Sequence, residues 1–342
     1  MNKWRCKIGT VASPNMASAT TSLGGKSSDG FILVAVLWIL GGRAMLAAIY
    51  ALYVVNAATS LQVNNDRIQA DASVSAALEL TAYYLDSVKP QQRPISGTFN
   101  FRVGNSHVAV DFLSEAARID LNSAPKPLLA GLFRVLGALP DAADNYADRI
   151  VGWRTAAASQ NLDQNGPPPP VARSRRMLAV LQNLDLDQGS DKETTAYRNA
   201  GLTYNPRLAP FTNVQELWLV LGLPPALVER AMGFVTVFSG MPTINIMGAA
   251  PEVVAALPGM TPDLLDAVLK QRSVLPTDAN PVMQMLGPAQ ANATALGNNA
   301  TRVMVHVDLA GSRRDNAEVV ILLLEDADDP YRVLSWTDDF DG

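Results

Sequence analysis

Side chains suited to nucleophilic or metal chemistry are few and badly spaced in this chain of 342 residues. Its two histidines, His107 and His306, lie far apart in alternating apolar/polar runs, so no HExxH-type ligand pair exists and both read as strand-surface residues. The one cysteine, Cys6, rules out an internal disulfide framework and a cysteine-based zinc cluster. A Ser-His-Asp or Cys-His catalyst therefore lacks support. Acids for a hydrolytic carboxylate pair are present, but nothing places two of them across a cleft. One acidic cluster, Asp185, Asp187, Asp191 and Glu193 around Gln188-Gly189-Ser190, reads by itself as a solvated loop. Lys+Arg 27 against Asp+Glu 32 gives a net charge of -5, the wrong sign for gripping a phosphate backbone.

The elements that would position any site begin with a membrane segment. The chain is 48% hydrophobic and only 17% charged, and at roughly 100–200 residues per domain it has room for about two folded units. The low charge is concentrated at 31–55, FILVAVLWILGGRAMLAAIYALYVV, where Arg43 is the sole charge. As a helix this run is ~37 Å long, enough to cross a ~30 Å hydrocarbon core once. Lys3, Arg5, Lys7 and Lys26 precede it with no acid before Asp29, whereas Asp66 and Asp71 follow. The N-terminal side is therefore expected in the cytoplasm and the bulk of the chain outside it. A secretory signal is the competing reading, but its apolar core is shorter and ends in a small-residue cleavage site. Here Leu61, Ile68, Ala72, Ala76, Leu80 and Tyr83 continue at helical spacing with no proline before Pro90. This predicts one long helix whose second part, 56–88, packs that stripe on a folded domain. At mid-bilayer Arg43 costs about 2.5–3.5 kcal/mol on insertion scales, so it snorkels or faces a protein neighbour.

Gly30-Phe31, followed at once by the apolar run and a long amphipathic helix, resembles the class III leader of type IV pilins and type II secretion pseudopilins. The resemblance implies a leader over 1–30, cut by a prepilin peptidase between Gly30 and Phe31 with methylation of the new N-terminus; Met16 is an alternative start. Members of those families carry a glutamate at the fifth mature position that neutralises the amine of a neighbouring subunit. Ala35 stands there in this chain. Burying an amine without a counter-charge is costly, so Ala35 suits a subunit with no neighbour ahead of it.

Beyond the helix, ISGTFNFRV at 95–103 and HVAVDFL at 107–113 flank Gly104-Asn105-Ser106 and read as a β-hairpin. Runs at 301–309, 317–325 and 331–336 are further strand candidates. The simplest architecture is α+β, a type IV pilin-like fold. A long N-terminal transmembrane helix packs on an antiparallel sheet from 89–119 and 290–342, split by a large all-α insertion over 120–289. Gly166 to Pro170 inside the insertion is a loop. The insertion repeats itself: RIDLNSAPKPLLAGLFRVLG from Arg118 and TINIMGAAPEVVAALPGM from Thr243 share a strand-like start, Ala-Pro and an apolar helix. Pro125 and Pro251 sit where a helix can begin. With a related unit from Phe211, these are helix-hairpin-helix-like. The turn at Gly259 followed by Lys270 and Arg272 resembles DNA-binding hairpins, the alternative reading being a membrane-anchored DNA-uptake protein. Glu252, Asp263 and Asp266 outnumber those two cations, so structural packing is preferred and no nucleic acid is expected.

In order along the chain, SEAARIDLNSAP at 114–125, ADRIVGW at 147–153, YNPRLAPFTNVQELWLVLGL at 204–223, VTVFSG at 235–240, INIMGAAPEVVAALPGM at 244–260 and YRVLSW at 331–336 resemble the GspK family of type II secretion minor pseudopilins. The resemblance implies a non-enzyme, single-pass in the bacterial inner membrane with a periplasmic domain. Such a subunit caps the pseudopilus with the I- and J-type minor pseudopilins and works with the inner-membrane platform and the prepilin peptidase. It also implies structural roles for Asn122, Pro125, Trp153, Tyr197, Pro251 and Gly259. Calcium is implied as well, with Asp185, Asp187, Asp191 and Glu193 as candidate ligands and Glu193 with Tyr197 matching a Glu-x-x-x-Tyr pattern. The aspartates that flank the tryptophan in the family are Gly152 and Arg154 here.

Overall fold

The computed structural model describes residues 29–155, 192–274, 278–309, 314–325 and 329–339. Cys6, Met16, most of the leader, the proline loop, Asp185, Asp187 and Asp191 lie outside the described residues.

One unbroken helix, α1 (Asp29–Asp86), opens the described chain. Its first part is apolar, exposed and long enough to cross a membrane. The part beyond Asp66 packs on a sheet, but not through the stripe that hydrophobic spacing selects. Ala70, Ser73, Val74, Ala77, Leu78, Thr81, Ala82 and Leu85 are buried, while Ile68, Leu80 and Tyr83 are 59%, 43% and 75% exposed. A helix lying close on a sheet favours small side chains along its contact line, and two of those used here are polar. The Ser73 and Thr81 hydroxyls donate to the carbonyls of Gln69 and Ala77 one turn back, so neither is buried unpaired.

The sheet is antiparallel, with strand order β1-β2-β7-β8-β9. β1 (Ser96–Val103) and β2 (Ser106–Ser114) form the hairpin, turned at Gly104 with φ of +57°, which suits a residue without Cβ. Ser106, expected in the turn, instead starts β2, where its hydroxyl accepts from Gln69 Nε2. β7 (Ala300–Asp308), β8 (Arg314–Leu323) and β9 (Tyr331–Asp339) complete it, β8 beginning and β9 ending three residues outside the expected runs. Alternation puts Val108, Val110, Phe112, Val303, Val305, Val319 and Ile321 in one core with the helix. His107 and His306 are exposed on strands, His306 Nδ1 lying 2.8 Å from Asn316 Oδ1.

Everything between β2 and β7 is inserted between two adjacent strands, Ser114 pairing with Thr301. Its elements are β3 (Ile119–Asp120), α2 (Lys126–Val135), α3 (Pro140–Arg154), α4 over 192–199, α5 (Pro225–Ala231), β4 (Val235–Thr236), β5 (Ile244–Asn245), α6 (Pro251–Ala255), α7 (Pro262–Val274), α8 (Asn280–Met285) and β6 (Ala293–Thr294). The insertion is thus helical with two short parallel pairs, β3-β4 and β5-β6, and has its own apolar core. At its junction with the sheet, Glu115 is fully buried, accepts from Arg302 Nε at 2.7 Å and also bonds the Thr236 hydroxyl; Arg302 reaches Glu318 as well. Burial would lower the affinity of the Arg302 guanidinium for its proton, but Glu115 and then Glu318 outweigh it.

Candidate functional site

The two repeat units are built on one device. Asp120 Oδ1 accepts the N–H groups of Asn122 and Ser123, and Asn245 Oδ1 accepts those of Met247 and Gly248. Each short side chain thereby turns the backbone out of a two-residue strand and into a helix. Pro125 caps α2 from the preceding position, whereas Pro251 is the first residue of α6, where its missing N–H costs nothing. Each turn is then held by an arginine from the end of the next long helix. Arg154 donates to the carbonyls of Leu121 and Ala124, and Arg272 to those of Ile246 and Ala249. Burial pulls both guanidinium groups below their usual range. Gly137 and Gly259 occupy the corresponding hairpin turns with φ of +96° and +83°. The unit from Phe211 follows a looser plan, a 3-10 turn at Val214–Leu219, Gly222 at φ of +82° and α5.

Asn122, Trp153 and Tyr197 come together in the first unit. Asn122 meets the backbone of Phe211 as a strand would, donating Nδ2 to its carbonyl at 3.0 Å and accepting its N–H at 2.7 Å. Trp153 lies 6.0 Å from the rings of both Phe211 and Tyr197, and its indole N–H donates to Glu216 Oε2. The buried Tyr197 hydroxyl accepts the Leu221 N–H at 2.8 Å. Its pKa is pushed up to about 12, first by burial and further by Glu193, against the lowering effect of that N–H. Glu216 also accepts from the Thr212 N–H and hydroxyl and from Arg207. Burial alone would raise the Glu216 pKa, but these bonds hold it below the ordinary carboxylate range.

Glu193 is the one calcium candidate among the described residues. Its carboxylate is buried: Oε2 accepts from Arg149 at 2.9 Å, and Oε1 has no hydrogen-bond partner among the described residues. Gly152 makes room for it, since a Cβ there would stand 3.0 Å from the Glu193 carboxyl carbon. A calcium shell takes six to eight oxygens. Glu193 Oε1 fits as one of them, and no cluster of three or more His, Cys, Asp or Glu able to hold a metal exists among the described residues. Beside Trp153, Arg154 places a guanidinium on two carbonyls.

The remaining predicted positions stand apart on α1. The Gly30–Phe31 bond falls in its first turn. Phe31 and Arg43 are exposed and Ala35 is partly so. Several structurally important residues escaped the sequence reading: Asp120, Arg154, Glu216, and the Glu115–Arg302 pair. Only Glu216 carried a usable local signal, the capping pattern Asn213-x-x-Glu216.

A long apolar N-terminal helix running onto an antiparallel sheet, with a helical domain let into that sheet, defines a pilin-like fold. Among solved structures the chain is similar to one chain of the GspK-GspI-GspJ complex from the enterotoxigenic Escherichia coli Type 2 Secretion System. The identity is 15% and the TM-score 0.51, over 82% of this chain and 98% of that one. No family model matches the chain, and no curated protein matches its sequence.

Proposed function

We propose that this chain is a minor pseudopilin of a type II secretion system, a non-enzymatic subunit at the tip of the periplasmic pseudopilus. The observation that carries the reading is α1, apolar and uncovered at its start, then packed on a pilin-like sheet while a second apolar stripe, Ile68, Leu80 and Tyr83, faces outward for other subunits. A bulky insertion between β2 and β7 cannot be stacked repeatedly along a thin filament, and a tip has room for it. On this reading the partners are I- and J-type minor pseudopilins, the inner-membrane platform and the prepilin peptidase. The N-terminus is cytoplasmic, the folded domain periplasmic, and assembly at the tip supports export of folded proteins. The test is the intact mass and N-terminal peptide of membrane-extracted protein with and without co-expressed prepilin peptidase. A product beginning at methylated Phe31 is expected. An uncut chain beside a peptidase active on another substrate refutes the proposal. The DNA-uptake alternative loses ground because Arg272, one of the two cations near the Gly259 turn, is committed to backbone carbonyls.

We further propose that Glu193 contributes to a calcium site with Asp185, Asp187 and Asp191, favoured by the buried, unpartnered Oε1. Calcium would bind by charge and lend stability by linkage. Added calcium should raise the melting temperature of the wild type and leave Glu193→Gln less affected; identical melts in calcium and chelator exclude the site.

A further inference from the structure

We infer that Arg43 is an intramembrane docking residue that pairs with a carboxylate near the middle of a different protein's membrane-spanning helix; this rests on reading 31–55 as a span. Arg43 stands midway between Phe31 and Val55, about 18 Å along the helix from either end. Half of a hydrocarbon core is about 15 Å, and snorkelling serves arginines near helix ends rather than at the centre. Nor does the chain offer relief. No Asp or Glu occurs from Phe31 to Asn65, and the acids nearest in sequence, Asp29 and Asp66, are about four and six helical turns away. α1 is unbroken through Gly41-Gly42, so no opened turn presents carbonyls to the guanidinium, and every residue from Val36 to Asn56 is exposed.

The surroundings admit a close neighbour. Gly41, Gly42, Ala44, Ala47 and Ala48 surround Arg43 in sequence, and a Cβ built on either glycine meets nothing within 4 Å. Small residues let helix backbones approach in a bilayer, where polar contacts between helices hold them together. A second copy of this chain is the wrong occupant, because it would bring another Arg43 and no acid. The partner is therefore a different protein with Asp or Glu inside its own span.

The test uses the full-length chain reconstituted in phosphatidylcholine vesicles with labelled polyleucine helices bearing one central Glu, Gln or Leu, and association read by energy transfer. The Glu helix is expected to associate about tenfold more strongly than the Leu helix. Arg43→Leu removes that preference and Arg43→Lys keeps most of it. In the absence of probe helix, Arg43→Leu self-associates more than the wild type. Equal association of the Glu and Leu helices with the inserted protein overturns the pairing. A Gln helix that binds as well as Glu does the same. Release of the protein by alkaline carbonate overturns instead the membrane span on which the pairing rests.

Discussion

Replacing Arg302 by methionine should destabilise the folded domain far more than removing the other acid that arginine touches. The Glu115 side chain is 0% exposed, Arg302 10% and Glu318 42%. Without Arg302, the buried Glu115 keeps the Thr236 hydroxyl but loses its ion-pair partner, with the charge of Arg118 left to act on it, a loss of up to about 3–5 kcal/mol. At about 2–4 °C per kcal/mol for a domain of this size, the melting temperature falls by roughly 6–20 °C. Glu318→Gln removes a half-exposed partner and costs about 1 kcal/mol or less. The double variant Glu115→Gln/Arg302→Met recovers most of the loss, because removing both members of a buried pair can be nearly neutral where removing one is not. The assay is urea unfolding followed by tryptophan fluorescence, with the wild type, Glu115→Gln, Arg302→Met and the double variant forming a double-mutant cycle. A loss below about 1 kcal/mol for Arg302→Met, or additive single effects, would refute the view that this pair is an enclosed link between insertion and sheet.

Glu216, whose folded pKa is depressed, contributes stability that is present above the unfolded carboxylate value of about 4.3 and is lost as pH falls through the folded value. Glu216→Gln should therefore cost about 2 kcal/mol at pH 7 and markedly less near pH 3; equal costs at both would count against the bonds assigned to it. Asn122→Ala leaves the Phe211 N–H and carbonyl unpaired, at about 1–3 kcal/mol for each group that stays dry. Asn122→Asp, which keeps the acceptor, should fall between in chemical denaturation. At Gly131 in α2 an added Cβ would lie 2.0 Å from the Ala256 carbonyl oxygen next to α6. Gly131→Ala should thus cost about 1–3 kcal/mol or more by overpacking, and an unchanged melting temperature would contradict that contact.

How much of this could be read from residues alone depended on range. The apolar run at 31–55, the turn at Gly104 and the alternation of β1 and β2 are local signals, and α1 and the hairpin stand where they point. The two Ala-Pro units were visible as repeats, but the Asp120 and Asn245 turns and the arginines that hold them were not. Arg154 lies a full helical hairpin away from the carbonyls it binds. The packed face of α1 was misread because two apolar stripes run along one helix, and spacing favoured the one with larger side chains. Burial went to the small residues, which allow close contact with the sheet. Glu115 and Arg302 are far apart in sequence, and only the β2-β7 register brings them together.

That same register governs the order in which the molecule can form. Ser114 cannot meet Thr301 until the whole intervening stretch has been made. Closing a loop of that length costs about 4 kcal/mol more than closing a two-residue hairpin turn. If the insertion folds first, with β3 against β4 and β5 against β6, its ends are already near one another and the long loop behaves as a short one. The β1-β2 hairpin then waits with an open edge, while a compact helical domain serves as the template on which β7 arrives.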